Sequence, residues 1–192
     1  RLEGAVMRIV DQPQNETIDA AFEDMFFLGD GVVVPSEGDG VEVQNSLLKI
    51  YTTILAPDGN GIASGQPGTN DIFVATTGVV AGYGSEFVDR ERYGTGISVE
   101  DLDLENFGLI TGIRFGVNVL GGVGEIINSG IIEGQVGIGT EYVEDLTINN
   151  SRSGQILGDV KVGTGIHALN GDIYVENSGE ISGGEIGMVA GQ

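Results

Sequence analysis

The chain has 192 residues, with 29 acids against 8 bases and a formal net charge of −21. Phosphate repels such a surface, so nucleic-acid binding is excluded and an anionic membrane face is disfavoured. With no cysteine, disulfides and thiolate metal sites drop out; with 34 glycines, no Gly-X-Y period and 40% apolar residues, the chain is neither collagen nor a disordered glycine-rich tract.

In chain order, residues 1–40 read as an N-terminal cap or assembly segment and residues 41–192 as repeats. Residues 1–10 form a strand pattern, and 11–15 a turn around Pro13. Residues 17–28 are the one helical candidate. Ala21, Met25 and Leu28 share a helix face, Thr17 stands at the cap and Gly29 at the end. Such a helix would cover the first rung of a solenoid, with Phe22, Phe26 and Phe27 as cap or core; the competing reading is an irregular rung. Val32-Val33-Val34 is a strand stopped by Pro35, and residues 41–54 give two strand-like runs around Asn45-Ser46. Asn45 is placed to open the first true rung. Asp58-Gly59-Asn60-Gly61 is a turn, and residues 85–96, with Arg90 and Arg92, are the expected protruding loop.

The rest of the chain is organised by a repeat. It is clearest in Ile126-Ile127-Asn128-Ser129-Gly130-Ile131-Ile132-Glu133-Gly134 and in Val175-Glu176-Asn177-Ser178-Gly179-Glu180-Ile181-Ser182-Gly183. Further copies start at Leu104 and Ile148, and one at Val74 carries Thr76 in the Asn position. The first glycines fall at 78, 108, 130, 154 and 179, a step of 22 to 30 residues. A loose period in the twenties means a solenoid. Glycine every few residues costs a helix about 1 kcal/mol each, so the units are strands and turns. The expected fold is all-β, a parallel β-helix of about five or six rungs. Asn106, Asn128, Asn150 and Asn177 fall at one point of the repeat. Each suits a left-handed corner, or a ladder in which amides about 4.8 Å apart bond to one another.

The pattern Asn-Ser-Gly-x-Ile-x-Gly-x-x-x-Gly-Ile resembles the repeats of autotransporter passenger domains and related bacterial surface β-helix proteins, from about residue 41 onward. The resemblance implies a right-handed parallel β-helix, export from a Gram-negative cell and display at the cell surface. It brings no catalytic residues, and the translocating barrel of that family is not in this sequence.

Three further features bear on chemistry. In Val99-Glu100-Asp101-Leu102-Asp103-Leu104-Glu105 the leucines point inward, which puts Asp101, Asp103 and Glu105 outward on one face as candidate calcium ligands, with Glu141, Glu144 and Asp145 on a later rung. No other cofactor is indicated. His167, the one histidine, sits on the outward parity of its strand. Paired outward acids on adjacent rungs are compatible with a polysaccharide-processing β-helix, but the bases are scattered and there is no tryptophan to stack a sugar. The first expectation is a non-catalytic extracellular structural or adhesive solenoid that meets a surface receptor or a matrix glycan. The alternative is a calcium-dependent matrix or surface-layer component. No stretch approaches the roughly eighteen apolar residues that a bilayer span needs. The sequence starts at Arg1, which predicts processing or truncation, and runs out at Gln192 within a repeat. Either further rungs or a head-to-tail homo-oligomer would cover that end.

Overall fold

The computed structural model describes residues 6–29, 32–64, 66–84, 94–184 and 186–190. Among them there is no helix, and every strand pairing is parallel. The chain coils as a three-faced β-solenoid of about seven turns, against the five or six expected.

Strand β1 (Val6–Val10) precedes the first full turn, which holds β2 (Ile18–Asp19), β3 (Glu23–Phe27) and a bridge at Val33. The second turn is β4 (Val41–Glu42), β5 (Leu47–Ile50) and β6 (Thr53–Ala56). The third is β7 (Ile62–Ala63), β8 (Asn70–Val74) and β9 (Val79–Gly82); the fourth is β10 (Thr95–Val99), β11 (Leu102–Asn106) and β12 (Leu109–Gly112). In the next two turns one long strand crosses two faces: β13 (Phe115–Asn128) is followed by β14 (Ile131–Glu133), and β15 (Val136–Asn150) by β16 (Gln155–Leu157). The seventh is β17 (Thr164–Ala168), β18 (Asp172–Asn177) and β19 (Glu180–Ser182), and β20 (Ile186–Ala190) lies beyond β17. Corresponding strands stack face on face, so residues one turn apart become neighbours about 4.8 Å away.

Residues 17–28 correct the sequence reading. They are not a helix but the first two faces of a turn, as the competing reading had it. Ile18, Ala20, Met25 and Phe27 are buried, a spacing of two on each strand. A helix would have turned Phe27 away from Met25. Phe22, at φ 63°, makes the corner between the strands, and β3 is bonded on both sides, to β1 and β5. Val10, Met25 and Phe27 belong to the same core as the residues after position 41.

Two inner columns explain the repeat. On the third face Ile54, Val80, Ile110, Ile132 and Ile156 stack fully buried. Opposite them, where the chain re-enters the first face, stand Gly61, Gly96, Gly116 and Gly137. A Cβ on Gly116 would lie 2.7 Å from Ile132 Cγ2, and one on Gly137 2.8 Å from Ile156 Cγ2 and 2.6 Å from the Gly165 carbonyl. Glycine is used here for close approach. Each branched side chain fills the room that the missing Cβ leaves, and full burial of an Ile contributes about 1.5–3 kcal/mol.

Of the expected loop over residues 85–96, positions 85–93 lie outside the described residues, while Thr95 and Gly96 already belong to β10.

Candidate functional site

The second face carries both features singled out from the sequence. Its innermost column, followed rung by rung, reads Val10, Phe27, Ile50, Val74, Asn106, Asn128, Asn150 and Asn177. The upper four positions form a chain of amides. Asn106 Nδ2 donates to Asn128 Oδ1 at 2.8 Å, Asn128 Nδ2 to Asn150 Oδ1 at 2.9 Å, and Asn150 Nδ2 to Asn177 Oδ1 at 2.8 Å. The other hydrogen of each donor reaches a backbone carbonyl of the next rung, at Ile131, Gln155 and Glu180 respectively. Asn106 Oδ1 accepts from Gly108 N at 3.1 Å, which closes its own corner between β11 and β12. Asn106 and Asn128 are fully buried and Asn150 nearly so, so these bonds satisfy groups that water cannot reach. Asn177 is exposed. Beside the ladder a single serine pair also bridges two rungs, Ser151 Oγ donating to Ser129 Oγ at 2.9 Å.

Two positional expectations shift. Thr76 does not take the Asn place in the third turn; Val74 does, and Thr76 is exposed in a corner two residues longer than that after Asn106. Asn45 does not open the first rung either, since a full turn precedes it. At φ 51° it makes the corner between β4 and β5, before the second face begins.

The acidic stretch lies on the outside of the same face. Asp71, Asp103 and Glu125 stand in register on consecutive rungs, and Phe73, Glu105 and Ile127 form the column beside them. With Lys49, which lies over the Phe26 ring at 5.4 Å, they line an open groove of about 540 Å³. The three residues expected to gather calcium are held apart in role. Asp101, at φ 39°, is a corner piece whose Oδ1 accepts from Val123 N at 2.8 Å. Asp103 Oδ1 accepts from Glu125 N at 3.2 Å, and Glu105 lies one column over. Asp145 registers with Val123, two residues ahead of the Asp103–Glu125 column, and so does not extend it. Among the described residues no group of three or more His, Cys, Asp or Glu side chains is placed to hold a metal ion.

Sequence reasoning missed two surface features. Tyr51, Phe73 and Phe107 form a tilted aromatic column along the edge of the groove, with centroids 5.8 and 5.7 Å apart. They lie in different turns, and their loose spacing along the chain hid the contact. The corner at residues 159–163 is pinned by Asp159, whose carboxylate accepts from Lys161 N at 2.8 Å and Val162 N at 3.3 Å. These two bonds hold its pKa below the ordinary value, and Lys161 adds a smaller charge effect in the same direction. His167 is half-buried, in register with Gly139 below and Val189 above.

No protein-family model, curated protein or solved structure matches this chain.

Proposed function

We propose that this chain is a non-catalytic structural solenoid, displayed outside a bacterial cell, whose task is to hold its outer faces at fixed spacing for adhesion to a receptor or a matrix glycan. The observation that carries this reading is where the repeated residues go. The Asn of the ladder, the Ile of the third face and the Gly opposite it are all engaged in joining one turn to the next. What recurs serves stacking; what faces outward changes from rung to rung, as in the column Asp71, Asp103, Glu125, Thr147, Tyr174. The acidity suits a solvated exterior. The resemblance to autotransporter passengers supports the location.

The groove on the second face favours one other reading, a polysaccharide-processing enzyme, because Asp71, Asp103 and Glu125 stand one rung apart and Lys49 is beside them. A single set of assays separates the two. The purified chain is incubated with neutral and uronate-rich polysaccharides and reducing ends are measured. In parallel, intact cells expressing the whole protein are shaved with protease. The structural reading expects no new reducing ends and loss of the chain from shaved cells. Release of reducing ends that Asp103→Asn abolishes would replace it with the enzyme, and protection from shaving would remove the surface location. A rise in melting temperature on millimolar calcium, lost in Asp103→Asn, would favour the calcium-dependent matrix role instead.

A further inference from the structure

We infer that Asn170-Gly171 is a site of spontaneous covalent modification, at which the asparagine loses ammonia and becomes aspartate or isoaspartate, while the fold holds the same dipeptide at Asn60-Gly61 unreactive. This rests on the two corners and not on the location or role proposed above.

Asparagine is a chemically labile residue. Its loss of ammonia needs a backbone nitrogen after it that is free to attack, and water. Gly171 N gives its proton to hydroxide and attacks Asn170 Cγ. The N–Cγ bond forms, the Cγ–Nδ2 bond breaks, and the amide takes a proton from water and leaves as ammonia. A cyclic imide remains. Water opens that ring at either carbonyl. One opening gives aspartate; the other gives isoaspartate, with the main chain routed through Cγ. Nothing is oxidised or reduced.

The corner between β17 and β18 meets these needs. Asn170 and Gly171 are both exposed. Gly171 N has no acceptor among the described residues, and the Asn170 side chain is tied by one bond, Nδ2 donating to the Glu141 carbonyl at 3.2 Å. The fold also fixes glycine as the follower. Its φ is 99°, and a Cβ there would run into the Val143 carbonyl. The corner therefore has no side chain with which to shield the attacking nitrogen.

Asn60-Gly61 is the internal contrast. Gly61 is buried, and its N donates to the Thr95 carbonyl at 2.9 Å. Asn60 Oδ1 accepts from Thr95 N at 3.1 Å, Asn60 N donates to Asp39 Oδ1 at 2.7 Å, and the Asn60 carbonyl accepts from Gly40 N at 2.9 Å. Ring closure there has to break bonds on both residues. The ladder asparagines are guarded in the same way. The nitrogen after each donates one rung down: Phe107 N to the Val74 carbonyl, Ser129 N to that of Asn106, Ser151 N to that of Asn128 and Ser178 N to that of Asn150.

The product changes the corner. An ionised carboxylate only accepts, so the bond to the Glu141 carbonyl is lost, and a negative charge is added next to Asp172.

The test ages the purified full chain at mildly alkaline pH, folded and in guanidinium chloride. Deamidation at each asparagine is followed by peptide mass spectrometry, and isoaspartate is identified with an isoaspartyl methyltransferase. In the folded chain Asn170 is expected to react at least about tenfold faster than Asn60, the factor that the bonds holding Asn60-Gly61 supply. In guanidinium chloride the two rates should converge. Asn170→Gln, whose longer side chain does not close the same ring, should remove the acidic form that anion exchange resolves during ageing. Equal rates in the folded chain, a faster Asn60, or a ratio unchanged by unfolding overturns the inference. So does an acidic form that accumulates at the same rate in Asn170→Gln.

Discussion

From Val10 to Val74 the inner column of the second face is hydrocarbon; from Asn106 to Asn177 it is amide. The backbone slot is the same, and the strands on either side remain in register across the change. The difference teaches that the slot has no chemical preference of its own: each residue is right only because its neighbours above and below match it. The junction between the two halves also shows why the ladder starts where it does. Asn106 sits on Val74, yet leaves nothing unsatisfied below, because its oxygen is served by Gly108 N and its hydrogens point away from Val74. An upward-donating ladder can begin on hydrocarbon without cost; it cannot end under hydrocarbon on the same terms.

The largest break in this contrast should come from putting one amide into the apolar half. Ile50→Asn removes a fully buried side chain and leaves an amide between Phe27 and Val74. The expected loss is about 3–5 kcal/mol by urea unfolding, and a loss under about 1 kcal/mol would mean that the halves are interchangeable. Next come the glycines that both halves share. Gly61→Ala and Gly137→Ala each drive a Cβ to within 2.8 Å of a branched side chain on the third face, Val80 and Ile156 respectively. The two should cost alike, about 1–3 kcal/mol, because this corner does not change between the halves; unequal losses would show that the halves differ in packing as well as in polarity.

In the amide half, Asn128→Leu strands Asn106 Nδ2 below and Asn150 Oδ1 above, and should lower stability by about 1–3 kcal/mol. Replacing Asn106 and Asn128 together with Val should cost less than the sum of the two single changes by about 1 kcal/mol, since the second removes a partner already orphaned. Strict additivity would deny that the amides act as a chain. The smallest effect belongs to a corner outside both columns. Asp159 has a depressed pKa in the folded chain, so the corner is held above the ordinary carboxylate range and is released as pH falls through the lower, folded value. The amide signals of Lys161 and Val162 in an NMR titration should therefore shift with a midpoint below the ordinary Asp value; a midpoint at or above it would mean that the two bonds are absent in solution.

Much of the upper half was legible because glycine and asparagine leave marks. Asn128-Ser129-Gly130 and Asn177-Ser178-Gly179 announce a corner that few other residues make, and alternation fixed which side of each strand faced inward. The lower half carries no such mark. Val10, Phe27 and Ile50 fill the ladder slot with residues that also suit a helix or a core, so turns were undercounted and residues 17–28 were misread. Thr76 was misplaced for a different reason: an insertion of two residues in a corner is invisible to a pattern that anchors on glycine, whereas backbone pairing anchors on Val74. The acidic face was half legible. Parity put Asp103 and Glu105 outside, but which acids meet depends on register between turns of unequal length, and that is set by corners whose residues contribute nothing to the repeat.

The equal spacing of Asn106, Asn128 and Asn150, each 22 positions from the next, has a consequence for how such a molecule can change in length. Excising residues 129–150 would join Asn128 directly to Ser151, and the chain would re-enter the same column one storey lower, through the four-residue corner 151–154 in place of the two-residue corner 129–130. Duplicating them would do the reverse. The strand faces brought together are of the same kind as those separated, parallel and apolar inside, so that only the corner has to adjust. The rod would shorten or lengthen by about 4.8 Å, with its two ends unaltered. Length in this architecture is thus a heritable quantity that comes in whole steps, open to adjustment by unequal recombination without passing through an unfolded intermediate form of the protein.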